Sequence, residues 1–144
     1  MLMRSTYLMI TLLITGCSLT WPSPDYREMQ KLPRREWVHF AARLPIERRF
    51  DLYEETYEAS GHPHDPVLAP AFRTEGQGGL DRTLHRARET SDIVRYLPII
   101  YELDYASELD VCSDSNRNEI SKVARESGLD SSLMREISFK SCSL

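Results

Sequence analysis

Residues 45–61 read PIERRFDLYEETYEASG, within a chain of 144 residues. Four apolar side chains recur at steps of four, three and four residues: Ile46, Phe50, Tyr53 and Tyr57. Charged side chains occupy the opposite side of the same wheel: Glu47, Arg48, Glu54, Glu55 and Glu58. Pro45 suits the start of a helix, and Gly61 is placed to end it. This stretch therefore predicts an amphipathic helix with one buried face.

Helical spacing extends to both sides of this stretch. It recurs at Trp37, Phe40, Ala41 and Leu44, at Leu80, Leu84, Ala87, Ser91 and Val94, and at Ile99, Ile100, Leu103, Ala106 and Leu109. Residues 67–72 are expected to form one short helical piece, and residues 75–79 a flexible joint. No strand-like alternation persists for more than a few positions. We therefore expect an all-α fold, a small irregular bundle of about five to seven short helices.

The carboxyl-terminal region predicts a helical hairpin. Asn116 and Glu119 have the spacing of a capping box and would start a helix that Gly128 ends, and Asp130 or Ser131 can cap a last short helix. Residues 123–137 resemble the helix-turn-helix of DNA-binding repressors, with Gly128 at the turn. Any two short helices that cross closely need the same small and apolar residues. Because an acidic run precedes this segment, we favour a hairpin without a nucleic-acid partner.

The amino-terminal residues 4–17 read RSTYLMITLLITGC. Arg4 precedes an apolar run, residues 7–14, that is too short to span a bilayer and has the length of a signal-peptide core. Residues 13–17, LITGC, resemble the bacterial lipobox. That resemblance implies thioether lipidation of Cys17, cleavage before it, and acylation of the new amino terminus, typically with palmitate. An ordinary cleaved signal and an uncleaved anchor helix are the alternatives.

The lipobox divides the chain into three parts. Residues 1–16 would be the signal peptide, residues 17–33 a lipidated amino terminus and tether, and residues 34–144 the helical domain. The run Trp21-Pro22-Ser23-Pro24 favours an irregular tether, because proline lacks a backbone donor. Ser18 stands where an aspartate would retain an enteric lipoprotein at the inner membrane. We therefore expect an envelope protein that faces the periplasm, more readily at the outer membrane than at the inner one.

Charge is unevenly distributed along the chain. Removal of residues 1–16 takes away one arginine, so the net charge changes from −4 to −5. Seven basic residues lie close to the expected anchor: Arg27, Lys31, Arg34, Arg35, Arg43, Arg48 and Arg49. These could contact anionic headgroups or lipopolysaccharide phosphates. The alternative, which we favour at this point, is that they solvate helix faces and pair with neighbouring acids.

Three cysteines are present, and the lipid would use Cys17. Cys112 and Cys142 remain as an even pair, which in an exported domain predicts one disulfide. It would close a loop of about 30 residues. Two isolated cysteines do not have the short ligand spacing of a zinc site.

Other candidate chemistry is weak. His62, His64 and Asp65 could supply metal ligands, but Pro63 and Pro66 indicate a turn instead. Residues 114–118 mimic the opening of a calcium loop, yet Glu119 stands where glycine is required and Arg125 where an acid is required. His39 and His85 lie within predicted helices and are expected to pack or cap. We find no nucleophile elbow and no phosphate loop, so we expect no catalytic residues, no metal and no cofactor.

These observations favour a non-catalytic, lipid-anchored envelope protein that binds another protein. A periplasmic toxin-immunity lipoprotein is the first alternative, and it predicts one exposed patch of acids for a basic partner: Asp51, Glu54, Glu55 and Glu58. A small envelope hydrolase is the second alternative. It predicts a concave pocket that gathers histidines and carboxylates.

Overall fold

The computed structural model describes residues 21–60, 66–106 and 109–144. Within these residues the α-helices are α1 (Pro24–Gln30), α2 (Trp37–Ala42), α3 (Ile46–Ser60), α4 (Gly76–Thr90), α5 (Leu97–Tyr105), α6 (Asp114–Glu126) and α7 (Ser131–Glu136). Short 3₁₀ turns occupy Arg34–Glu36, Ala69–Phe72 and Val94–Tyr96. The one hairpin consists of β1 (Ser138–Phe139) and β2 (Cys142–Ser143). The predicted all-α bundle is confirmed, and its helices are short, as expected.

An aromatic cluster holds the centre of the bundle. The ring centroids of Phe50 and Phe72 lie 4.8 Å apart, and Tyr53 meets Phe72 edge-on at 5.9 Å. Tyr96 completes the cluster, 6.2 Å from Tyr53. All four side chains are fully buried, and tilted or edge-on pairs of this kind add stability beyond burial alone. The predicted inner face of α3 is confirmed at Phe50 and Tyr53.

Helix α1 corrects the predicted tether. The Ser23 hydroxyl accepts a hydrogen bond from the backbone N–H of Tyr26, and Pro24 occupies the first turn. Both are favourable helix-start residues. Met29 is fully buried, and α1 packs against α3. The prediction of a tether up to residue 33 is therefore wrong from residue 24 onward, while Cys17 and the signal segment lie outside the described residues.

The glycine-rich joint predicted at residues 75–79 is also corrected, because this segment forms the first turn of α4. Gly79 is buried where α4 packs against α5. A Cβ atom at this position would lie 2.4 Å from the Cβ of Glu75 and 3.5 Å from Leu103 Cδ2. Glycine is thus required here because a Cβ would collide with the side chain of Glu75, whereas its contact with Leu103 would be an ordinary one.

We expect Gly79→Ala to lower the free energy of unfolding by about 1–3 kcal/mol, because the added methyl group must displace the backbone or the side chain of Glu75. The matched control is Gly78→Ala, where an added Cβ meets nothing within 4 Å. That change should raise stability by about 0.5–1 kcal/mol, the usual preference of a helix for alanine. Urea unfolding followed by circular dichroism measures both. Equal effects of the two substitutions would contradict the packing argument.

The two helices predicted at the carboxyl terminus are confirmed, with a shifted start, although α6 packs mainly against α4 rather than against α7. Helix α6 begins at Asp114, and the cap is Ser113, whose hydroxyl accepts from the N–H of Asn116. The predicted capping role of Asn116 is therefore wrong. Its buried amide instead exchanges hydrogen bonds of 2.8 and 2.9 Å with the amide of Gln77, which joins α6 to α4. Asp130 caps α7, as predicted.

Candidate functional site

A shallow cavity of about 250 Å³ opens beside the carboxyl-terminal half of α3. Six residues line it: Trp21, Ser23, Asp51, Glu54, Glu55 and Glu58. The four acids lie at helical spacing along α3, with Asp51 and Glu58 exposed and Glu54 and Glu55 partly buried. The structure therefore brings together the acids that the immunity hypothesis expects in one patch, and it adds an indole ring to them.

Helix α1 positions the tryptophan. The backbone N–H of Ser23 donates to Glu55 Oε1 at 2.7 Å, and the side chains of Asp25 and Arg48 form an ion pair. These two contacts make α1 run antiparallel to α3 and place Trp21 beside the cavity. The Trp21 side chain remains 67% exposed, which is high for so large an apolar group.

Two arginines neutralise part of this acidic charge: Arg86 on α4 and Arg95 in the turn before α5. The Arg86 guanidinium lies 3.0 Å from Glu47 Oε2, 3.0 Å from Asp51 Oδ1 and 3.2 Å from Glu54 Oε2. Burial alone would lower the pKa of Arg86, but its hydrogen bonds and the surrounding carboxylates raise it above the usual value. Asp51 and Glu58 nevertheless keep about two thirds of their side-chain surface exposed. The acidic patch is thus partly neutralised at its base and open at its rim.

Two buried tyrosines form hydrogen bonds between the core and the elements around the acidic patch. The Tyr96 hydroxyl donates to Glu54 Oε1 and the Tyr53 hydroxyl donates to the carbonyl of Arg95, each at 2.6 Å. Burial raises the pKa of both phenols, and the hydrogen bond to Glu54 raises that of Tyr96 further. Both phenols therefore stay protonated at neutral pH and act as fixed donors.

A second concave feature, the α1–α2 groove, measures about 730 Å³. Its lining combines apolar and charged side chains: Glu28, Lys31, Leu32, Glu36, His39, Phe40 and Arg43. Here one histidine shares a groove with two carboxylates, although Glu28 already pairs with Lys31 at 2.7 Å. The sequence did not indicate this groove, because α1 was expected to be an irregular tether.

Of the other candidate residues, His39 lines the α1–α2 groove and His85 lies apart from both features. His62, His64 and Asp65 are outside the described residues. His39 and His85 lie in helices as expected, but both are exposed, so the packing role predicted for them is wrong. His85 faces Glu89 at 3.3 Å. Among the residues that the structure describes, no group of three histidine, cysteine, aspartate or glutamate side chains could hold a metal ion.

Cys112 lies just before α6, and Cys142 lies in strand β2 after α7. Their sulfur atoms are 2.17 Å apart and their Cα atoms 5.7 Å apart, a separation typical of disulfides. The pair connects the segment before α6 to strand β2, which pairs antiparallel with β1. This geometry fits the disulfide predicted from the sequence.

Sequence reasoning missed three contributors to the α3 surface: Trp21, Arg86 and Tyr96. Ser23-Pro24-Asp25 was a detectable helix-start signal that would have placed Trp21 at a helix end. Arg86 and Tyr96 reach α3 only through the packing of distant segments. Comparison of the chain with protein-family models, with curated proteins and with solved structures gives no match.

Proposed function

We propose that this chain is a lipid-anchored, non-catalytic bacterial envelope protein whose helical domain binds another protein in the periplasm or at the outer membrane. The observation that carries the proposal is the segment LITGC at residues 13–17, preceded by a short apolar run and Arg4. Acylation at two positions of Cys17 would give stable attachment, since each buried methylene contributes about 0.8 kcal/mol. No helix among the described residues is long and apolar enough to cross a membrane.

The cavity beside α3 supports the binding part of the proposal. Tryptophan is enriched among the residues that dominate interface energies, and Trp21 is exposed next to two open carboxylates. Asp51 and Glu58 would meet a partner of positive potential, and such complementarity raises association rates and selects the partner. The same surface is what a toxin-immunity protein would require, so this remains the first alternative.

The α1–α2 groove favours the hydrolase alternative, because His39 lies there with Glu28 and Glu36. We prefer a binding function because the groove is open and Glu28 is held by Lys31, whereas a catalytic carboxylate works best in a sheltered environment that tunes its acidity. Turnover of an envelope substrate that disappears in His39→Ala would decide for the hydrolase.

We expect Cys17→Ala to abolish membrane partitioning and to leave the precursor uncleaved, because the lipid-bearing thiol is the substrate of the processing steps. Detergent-phase extraction shows the partitioning, and mass spectrometry of the amino-terminal peptide shows the modification. Cys112→Ala is a matched control that should keep both the lipid and the cleavage. An unmodified Cys17 in the wild-type protein, or cleavage elsewhere, would overturn the anchor.

We expect the double variant Trp21→Ala, Asp51→Lys to lower partner binding about thirtyfold or more, the loss typical of interface hot spots. Quantitative pull-down from envelope extracts, followed by titration of the captured protein, measures this loss. Leu133→Ala, Glu136→Lys makes the same types of change on α7, at exposed positions, and should leave binding unchanged. Equal losses in both variants would contradict a specific role for the α3 cavity.

A further inference from the structure

The structure distinguishes two groups among the basic residues of the amino-terminal region. Lys31, Arg48 and Arg49 pair with Glu28, Asp25 and Glu75 respectively. Arg27, Arg35 and Arg43 are exposed, and none of them forms an ion pair with any residue of 21–60, 66–106 or 109–144. These three arginines are solvated, as the favoured expectation has it, but they do not pair with neighbouring acids among the described residues.

The exposed cations make the domain electrically asymmetric. Residues 27–43 contain five basic residues (Arg27, Lys31, Arg34, Arg35, Arg43) and two acids (Glu28, Glu36), a net charge of +3. Residues 17–144 carry −5 in total, so the rest of that stretch carries −8. An anionic surface would attract residues 27–43 and repel the remainder, which orients the molecule as well as binding it.

This basic segment lies close to the expected lipid anchor along the chain. Trp21 lies four positions after Cys17, and an extended chain spans at most about 3.5 Å per residue, or roughly 14 Å. Helix α1 begins three residues later and is only about 10 Å long. Arg27 can therefore lie at most about 30 Å from the anchored residue, a distance that lets it reach the bilayer surface, where screening by salt is weakest.

We propose that the exposed cations of residues 27–43 form a surface that binds the anionic phospholipid headgroups of the bilayer in which the lipid anchor is inserted. This proposal rests on the proposed anchoring. Each lysine or arginine near an anionic membrane surface raises partitioning about fivefold, so three unpaired arginines together supply roughly a hundredfold. Such binding holds the domain in one orientation on the membrane, which a lipid at the end of a short tether does not do alone.

The test uses residues 18–144, which include every residue that the structure describes, so that binding is measured without the lipid. Sedimentation with phosphatidylglycerol vesicles and with phosphatidylcholine vesicles gives the two partition coefficients. We expect binding to phosphatidylglycerol only, weakened by added salt. The triple variant Arg27→Gln, Arg35→Gln, Arg43→Gln should lower it about a hundredfold.

A charge-matched control lies on α6. Arg117→Gln, Lys122→Gln, Arg125→Gln removes three exposed cations that form no ion pair among the described residues, and it should change partitioning only a few-fold. Circular dichroism melts verify that both triple variants are folded. Equal binding to the two vesicle types, equal losses in the two variants, or no binding to phosphatidylglycerol would each overturn the proposal.

The experiments can contradict the proposed anchor and the proposed basic surface separately. Mass spectrometry of the native amino-terminal peptide tests Cys17 without reference to residues 27–43. A lipidated Cys17 combined with no salt-dependent vesicle binding overturns the basic surface alone. An unmodified Cys17 combined with binding that the arginine variant loses overturns the proposed anchor and supports the surface.

Discussion

Replacing Arg49 with methionine should lower the free energy of unfolding by about 3–5 kcal/mol, the usual cost of removing one partner of a buried ion pair. Arg49 is only 6% exposed. Its Nη2 donates to the carbonyls of Ala42 and Leu44, at 3.0 and 2.9 Å, and its Nη1 donates to the carbonyl of Ala71 at 3.1 Å. Its guanidinium also pairs with the carboxylate of Glu75.

One side chain therefore joins the end of α2, the turn before α4 and the start of α4. Methionine preserves much of the volume but leaves one carboxylate and three carbonyls without this donor. Lysine at position 49 should recover only part of the loss, since a single ammonium group cannot reproduce the planar fork.

Urea unfolding of Arg49→Met beside Arg48→Met tests this prediction with adjacent residues of the same type. Arg48 is exposed and, among the residues that the structure describes, pairs only with Asp25, so its replacement should cost no more than about 1 kcal/mol. If the two variants unfold at the same denaturant concentration, Arg49 does not have the joining role described here.

Loss of the bond between Cys112 and Cys142 should cost about 2–5 kcal/mol, the range seen when small exported domains lose a native disulfide. Closure of a loop of 30 residues restricts the unfolded chain, and the helices it encloses are short. Helices of such length are marginal alone, and α7 buries only Met134.

Thermal melting of Cys112→Ser, and of the wild-type protein with and without reductant, measures the effect. Peptide mapping without reduction identifies the bonded pair. Two free thiols in wild-type protein purified without reductant, together with an unchanged melting temperature, would show that packing alone holds α6 and α7 in place.

Periodicity predicted those helices whose apolar residues repeat over several turns. Phe50 and Tyr53 on α3, and Leu80 and Leu84 on α4, are examples, because burial of one face forces this repeat on any sequence. Arg49 shares the buried face with Leu52 and Tyr53. The sequence alone does not indicate which groups a charged residue at such a position binds.

The errors have local physical causes. Pro22 and Pro24 suggested an irregular tether, but proline in a first turn also starts a helix, and Ser23 supplied the cap. Gly76 and Gly79 suggested a joint, although the close approach of the Glu75 side chain selects glycine at position 79. The two-residue strands β1 and β2 are too short to produce an alternating pattern.

The α3 cavity could be predicted only in part. Its acids were evident from their spacing on one side of the helix. Arg86 lies 35 residues from Asp51 along the chain, and Tyr96 lies 42 residues from Glu54. Contacts between residues so distant in sequence depend on how the helices pack, which a single sequence does not reveal.

The link from Cys112 to Cys142 also determines how the protein responds to proteolysis. With the bond closed, one cut at an exposed position such as Gly128, between α6 and α7, separates no fragment from the molecule. Electrophoresis without reductant would show an intact chain, and reduction would reveal two pieces. A nicked protein would therefore stay covalently whole until the bond is reduced.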